Sequence, residues 1–192
     1  MFVLLIGLVL FLGAHLANSF FAKKRKELIE TKGGNAWRIR ITIPSLIGLG
    51  LIVYGYGLAR EAPIFLYDPP IWASHLTALL MIPVFVLLVA SGRPGKIVKL
   101  VKHPQLLAVK IWSFAHLLAN GDLASVVLFG SFLAWGVFAR ISVKKRVANG
   151  LAENASDGPI INDVIAVVIA IGLYALFVLW AHEFLFGVAP IA

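Results

Sequence analysis

The stretch FVLLIGLVLFLGAHLANSFFAKKRK, Phe2 to Lys26, runs from Phe2 to Ala22 without a Lys, Arg, Asp or Glu and then sets four cations in a row, Lys23, Lys24, Arg25 and Lys26. A helix rises about 1.5 Å per residue and the hydrocarbon core is about 30 Å thick, so roughly 20 such residues cross it. A cleaved signal peptide carries its positive charges ahead of the apolar run. Here they follow it. Cytoplasmic loops collect Lys and Arg, so this order predicts a retained span whose start faces the non-cytoplasmic side.

Five further apolar stretches follow the first, Phe2–Ala22: Ile39–Ala59, Ile71–Ala90, Gln105–Ala119, Leu123–Ile141 and Val164–Val188. The fourth of the six is short and carries Lys110. The loops between them test the count. With Arg40 and Arg140, each within two residues of the inner end of its stretch, counted with the adjoining loop, successive loops hold seven, one, four, zero and four basic residues, and none follows the last stretch. Fifteen of the seventeen Lys and Arg then fall on the inner side, and dropping the fourth stretch breaks the alternation. The expected fold is an all-α, polytopic integral membrane helix bundle of about six transmembrane helices. Both termini are expected to be non-cytoplasmic, and residues 1–192 to make one transmembrane domain in a multi-pass integral membrane protein.

Composition agrees. Hydrophobic residues make up 60% of the 192 and mean hydropathy is +0.94, against about 45–50% apolar in soluble domains. The net charge of +8 sits in short loops beside apolar runs. It reads as a topology signal and a contact with anionic lipid, with no nucleic acid as partner. The chain has no Cys, which excludes disulfides, thiolate metal sites and covalent c-type haem attachment. No dinucleotide, P-loop, zinc-protease or nucleophile-elbow motif is present.

Local signals refine the bundle. Pro44 is expected to open the second helix and Pro83 to kink the third. Asn149–Asp163 reads as a mobile inner loop. Gly48, Gly50, Gly55 and Gly57 are expected to let helices approach closely.

Ionisable groups at mid-membrane cost about 2.5–3.5 kcal/mol each and usually have a partner or a function. All five His, at 15, 75, 103, 116 and 182, lie in or at the ends of apolar stretches. His15 falls about 10 Å from the inner end of the first helix, and His116 about 20 Å outward of His103 on the fourth. At 100° per residue His103 and His116 point about 140° apart, so they cannot ligate one ion. Lys110 shares the face of His103, while Trp112, His116 and Asn120 share the other. Depth allows His15 with His116, or His116 with His182 or His75, as two axial ligands of a haem between helices. The plainer readings are an interhelix hydrogen bond or a headgroup-level position for each His, and an N-cap for Asp122 after the tight turn Asn120-Gly121.

The segments Lys102-His103-Pro104-Gln105, Trp112-Ser113-Phe114-Ala115-His116-Leu117-Leu118-Ala119-Asn120-Gly121-Asp122-Leu123-Ala124-Ser125 and Phe129-Gly130 resemble the NnrU family. So do Gly13-Ala14-His15 and His182-Glu183-Phe184-Leu185-Phe186-Gly187-Val188. That family includes bacterial proteins associated with nitrite and nitric oxide metabolism and the zeta-carotene isomerase of plants and cyanobacteria, whose non-covalent haem b is held by two His. The resemblance implies haem b on His15 and His116 as axial ligands to the iron, with His182 and His103 as runners-up. Lys110 and Arg93 are the implied propionate partners, and Asn120 and Asp122 are further motif positions. It implies a role in denitrification or, if the chain is an enzyme, haem-dependent cis-trans isomerisation of a polyene. The implied partners are the lipid bilayer, a polyene or small nitrogen oxide, and other membrane proteins. Two alternatives stand beside this reading: a non-catalytic membrane assembly or regulatory factor, and a small proton-coupled transporter.

Overall fold

A computed structural model describes residues 1–152 and 156–191, without the side chains of residues 18, 19, 22 and 23. The described chain is helical. Its elements are α1 (Phe2–Phe20), α2 (Ala22–Lys32), α3 (Gly34–Arg60), α4 (Trp72–Ala90), α5 (Lys96–Val101), α6 (Pro104–Ala119), α7 (Leu123–Ala148), α8 (Ile160–Leu176), a π-helical turn (Phe177–Ala181) and α9 (His182–Phe186). They group into two compact units, Met1–Leu66 with Asp122–Ala152, and Tyr67–Gly121 with Glu153–Ala192.

In the first unit α1 lies antiparallel along α3, and glycine makes the approach possible. A Cβ on Gly7 falls 2.6 Å from the Ile52 amide nitrogen, and one on Gly48 falls 2.6 Å from that of Phe11. A Cβ on Gly55 strikes the Leu4 backbone. Leu4, Leu8 and Ile52 are buried in this seam. Gly48 and Gly55 therefore do what was expected of them, whereas Gly50 and Gly57 face open space. Two and nine residues from Gly48 is about 180–200° around the helix, which puts them on its other side.

The helices outrun the apolar stretches. The basic segment expected as a loop forms α2, because Ala22–Lys32 is built of good helix formers with no Gly or Pro. Gly33, at φ +79°, ends it. Pro44 does not open a helix but lies inside α3, which begins at Gly34. The carbonyl it leaves without an amide belongs to Arg40, at the polar end of the helix. Pro83 likewise lies within an unbroken α4. α7 runs to Ala148, with Lys145 and Arg146 in its last turn, where cations complement the helix dipole.

In the second unit α6 packs on α4 through Val84, Leu87 and Ala108, with Ile111 and Trp112 against them. The Thr77 hydroxyl donates to the Ala115 carbonyl at 2.7 Å, and the Tyr174 hydroxyl to that of Ala78 at 3.1 Å. Much of the Asn149–Asp163 segment is held rather than loose, residues 153–155 lying outside the described residues. Buried Asp163 accepts the Lys96 and Ile97 amides at 2.7 and 3.2 Å. Asn162 donates to the Pro94 carbonyl at 2.7 Å. Asp157 takes Lys96 and Lys99 at 2.9 and 2.7 Å, and these two ammonium groups, Lys99 foremost, hold its carboxyl far below the usual range. Because buried Asp163 accepts the two amides that open α5, Asp163→Ala is expected to cost about 2–3 kcal/mol. Thermal melting in detergent should show a fall of several degrees for this variant and little change for Asp157→Ala, whose ion pairs are exposed.

Four helical segments are long and apolar enough to cross a membrane: Gly34–Arg60, Trp72–Ala90, Leu123–Ala148 and Ile160–Phe186. α1 adds a shorter apolar run, Phe2–Ala17. The chain is thus an all-helical protein with a bilayer as its natural solvent.

Candidate functional site

The histidines differ in how their rings are held. His15 donates from Nδ1 to the Phe11 carbonyl at 2.8 Å, and His116 from Nδ1 to the Trp112 carbonyl at 2.9 Å. A carbonyl accepts only, so Nδ1 must carry the proton. In the neutral ring Nε2 then carries the lone pair, as an axial ligand requires. Both partners sit one turn back on the same helix, so α1 and α6 aim these rings without help from a distant element. Phe11 lies 4.5 Å and Trp135 5.8 Å, edge-on, from the His15 ring. Trp112 lies 5.4 Å from that of His116.

His182 has the same tautomer by another route. The π-turn Phe177–Ala181 directly precedes it, and a widened turn shifts the face on which all later side chains emerge. Gly187 then adopts a left-handed conformation, φ +69°, and returns the chain. The Val188 carbonyl accepts from His182 Nδ1 at 2.7 Å. Phe177 and Phe186 flank the ring at 6.0 and 5.0 Å.

The other two histidines are held differently. His75 is exposed and only loosely tied, 3.3 Å from the Ile71 carbonyl. His103 is the N-cap of α6, its carbonyl accepting from Leu107, with Pro104 in the first turn. Lys102 before it has φ +68°, the one non-glycine with positive φ among the described residues. Such a conformation costs about 1–2 kcal/mol, so the join of α5 to α6 is strained where the motif falls. Lys110 is half-buried on α6, about 120° around the helix from His116. Arg93 is exposed in the turn after α4. His15 belongs to the first unit, and His75, His103, His116, His182, Lys110 and Arg93 to the second. Among the described residues no group of three or more His, Asp or Glu is placed to hold a metal ion. A haem asks for only one or two side-chain ligands, and the donor chemistry of His15, His116 and His182 fits it.

The motif residues after His116 build the turn that ends α6. Asn120 Nδ2 donates to the His116 carbonyl at 2.9 Å. The Tyr67 hydroxyl donates to the carbonyls of Leu117 and Asn120, the latter at 2.8 Å. Gly121 has to be glycine, because a Cβ there overlaps the Tyr67 carbonyl. Asp122 caps α7, accepting the Ser125 amide at 2.9 Å and its hydroxyl. Ser125 is buried, and Tyr56 donates to its hydroxyl oxygen at 2.8 Å. Tyr67, Tyr56, Ser125 and the π-turn escape sequence reading. Tyr67 lies 50 residues from Leu117 in the chain and Tyr56 lies 69 from Ser125, and no local pattern announces a π-turn. For Asp122 the capping reading is the one the geometry carries.

A family model described as NnrU protein matches residues 3–190. No curated protein and no solved structure matches the chain.

Proposed function

The chain belongs to the NnrU family, and from that premise we propose that it is a membrane haem protein that binds haem b through His15 and His116. One observation carries the reading: each ring is tied through Nδ1 to its own helix, at 2.8 and 2.9 Å, which leaves Nε2 as the basic nitrogen. His182 is the runner-up ligand, and Lys110 and Arg93 are the cations available to propionates. Phe11 and Trp135 lie against the His15 imidazole, and Trp112 against that of His116. A bound haem supplies a Lewis-acid or one-electron centre for a polyene or a small nitrogen oxide. The protein's own part is to fix the two ring tautomers and set aromatic rings beside them.

Around this site the chain crosses a bacterial inner membrane six times with both termini outside. The four long apolar helices supply four crossings, and α1 and α6 the others. The inner loops carry the Lys and Arg. At 16 residues α6 reaches only about 24 Å, so its ends lie within the headgroup layers or against protein.

The decisive measurement is an absorption spectrum of detergent-purified protein, oxidised and reduced, after haem supplementation. We expect a Soret band with the sharp reduced visible bands of a six-coordinate low-spin haem. Absence of a Soret band after supplementation removes the haem reading and leaves an assembly factor or a transporter.

A further inference from the structure

The last apolar segment carries a carboxylate that the histidine reading leaves unused. α8, the π-turn and α9 run on from Ile160 to Phe186, long and apolar enough to cross a bilayer. Asp163 and Glu183 on this segment stand 20 residues apart, about 30 Å along a helix, which is the thickness of the hydrocarbon core. Asp163 is held at one end by the Lys96 and Ile97 amides. Glu183 therefore falls at headgroup depth at the other. No Lys or Arg lies on the segment. Among the described residues no ion pair or side-chain hydrogen bond reaches the Glu183 carboxylate, and His182 beside it is tied to the Val188 carbonyl at 2.7 Å.

An aromatic shelf adjoins this carboxylate. Trp180 and Phe184, one turn apart, stack at 4.9 Å and within 13° of parallel. They are 57% and 70% exposed, so the outer face of each ring is open. With Leu179 and Glu183 they line one open hollow. Leu176 and Leu179, one turn nearer mid-membrane, are exposed as well.

The chemistry of this hollow selects its occupant. Aromatic faces attract a cation. An ionised carboxylate only accepts hydrogen bonds, so it favours a cation that brings N–H donors. A primary ammonium brings three and a quaternary one none. At the edge of the hydrocarbon an unpaired carboxylate is costly, and a charge-assisted hydrogen bond offsets that cost. At headgroup depth above an apolar helix face, the molecule that presents an ammonium is a phospholipid.

We propose that Trp180, Glu183 and Phe184 seat the ammonium of a phosphatidylethanolamine headgroup, with an acyl chain running along Leu179 and Leu176. The inference rests on the Ile160–Phe186 segment crossing a bilayer and not on haem, so a spectrum without a Soret band leaves it standing.

The test is lipid competition on the full chain in mixed micelles of phosphatidylethanolamine and phosphatidylcholine, with the retained lipid weighed by native mass spectrometry. Phosphatidylethanolamine should be retained over phosphatidylcholine by about tenfold, and Glu183→Gln should bring the two close to parity. Trp180→Leu should weaken retention of both lipids roughly threefold, because either cation loses a ring face. Glu61→Gln, which removes an exposed carboxylate at the end of α3, should change neither. Equal retention by the unmutated chain, a preference that survives Glu183→Gln, or displacement of the lipid by millimolar free ethanolamine overturns the assignment. So does a dimer that Glu183→Gln disperses, since a second copy of the chain then supplies the cation. Should a variant fail to fold, the competition on the unmutated chain decides alone.

Discussion

Gly55→Leu should leave little folded protein. The position that a Cβ takes at residue 55 is already filled by backbone atoms of Leu4. Backbone cannot swing aside as a side chain can, so α1 and α3 must move apart along their length. Inserting even one methylene into a packed core costs about 1–3 kcal/mol, and leucine brings four carbons. The seam also closes at Gly7 and Gly48, so separation at one point loosens the others. Between membrane helices close approach supplies most of the attraction, because lipid is as apolar as the side chains. A loss of about 3 kcal/mol lowers the melting temperature of a chain this size by roughly 6–12 °C. Size-exclusion chromatography and melting in mild detergent measure both consequences. Gly57→Leu is the control: it lies two residues further on the same helix and faces open space, so it should elute and melt as the native chain does. Equal behaviour of the two variants would remove the glycine seam as the basis of α1–α3 packing.

Those two glycines also show what was legible in the chain. Apolar length and the placement of Lys and Arg are one-dimensional quantities, and they marked the helical regions because lipid forces every backbone polar group into a helix. Which of four glycines in one helix meets a neighbour depends on where α1 lies, and nothing local says so. The same holds for Asp163. In sequence it is a carboxylate at the end of a polar loop; in the fold it closes amides 66 and 67 residues away. Pro44 failed as a helix boundary because the polar segment before it, Gly34–Ile43, contains nothing that stops a helix. The histidines were legible as candidates because ionisable groups are scarce in apolar runs. The ring tautomers of His15 and His116 are local too, since each uses the carbonyl four residues back. The tautomer of His182 is not, because it depends on a π-turn and on a chain reversal at Gly187.

His116→Ala should abolish the low-spin spectrum of the haem-loaded protein. If His116 holds the haem iron as proposed, its loss would leave a five-coordinate or water-ligated iron, and the Soret band should move and broaden towards a high-spin form. The affinity for haem should fall by more than the tenfold to hundredfold that loss of a supporting contact alone costs. Two readouts separate ligand loss from mere unfolding. Imidazole added to the variant should fill the vacated space and restore the low-spin bands, which a collapsed helix could not allow. The helix itself should survive, since the Ala115 carbonyl still accepts from Thr77 and α6 still packs on α4 through Ala108. His15→Ala should behave in the same way, and His75→Ala, which removes an exposed and loosely held ring, should change nothing. If His15→Ala keeps the six-coordinate spectrum while His182→Ala loses it, the second ligand is His182, the histidine that follows the π-turn. If His15→Ala and His116→Ala both keep it, neither ring is an axial ligand, and their Nδ1 contacts serve only to hold a polar side chain to its own helix.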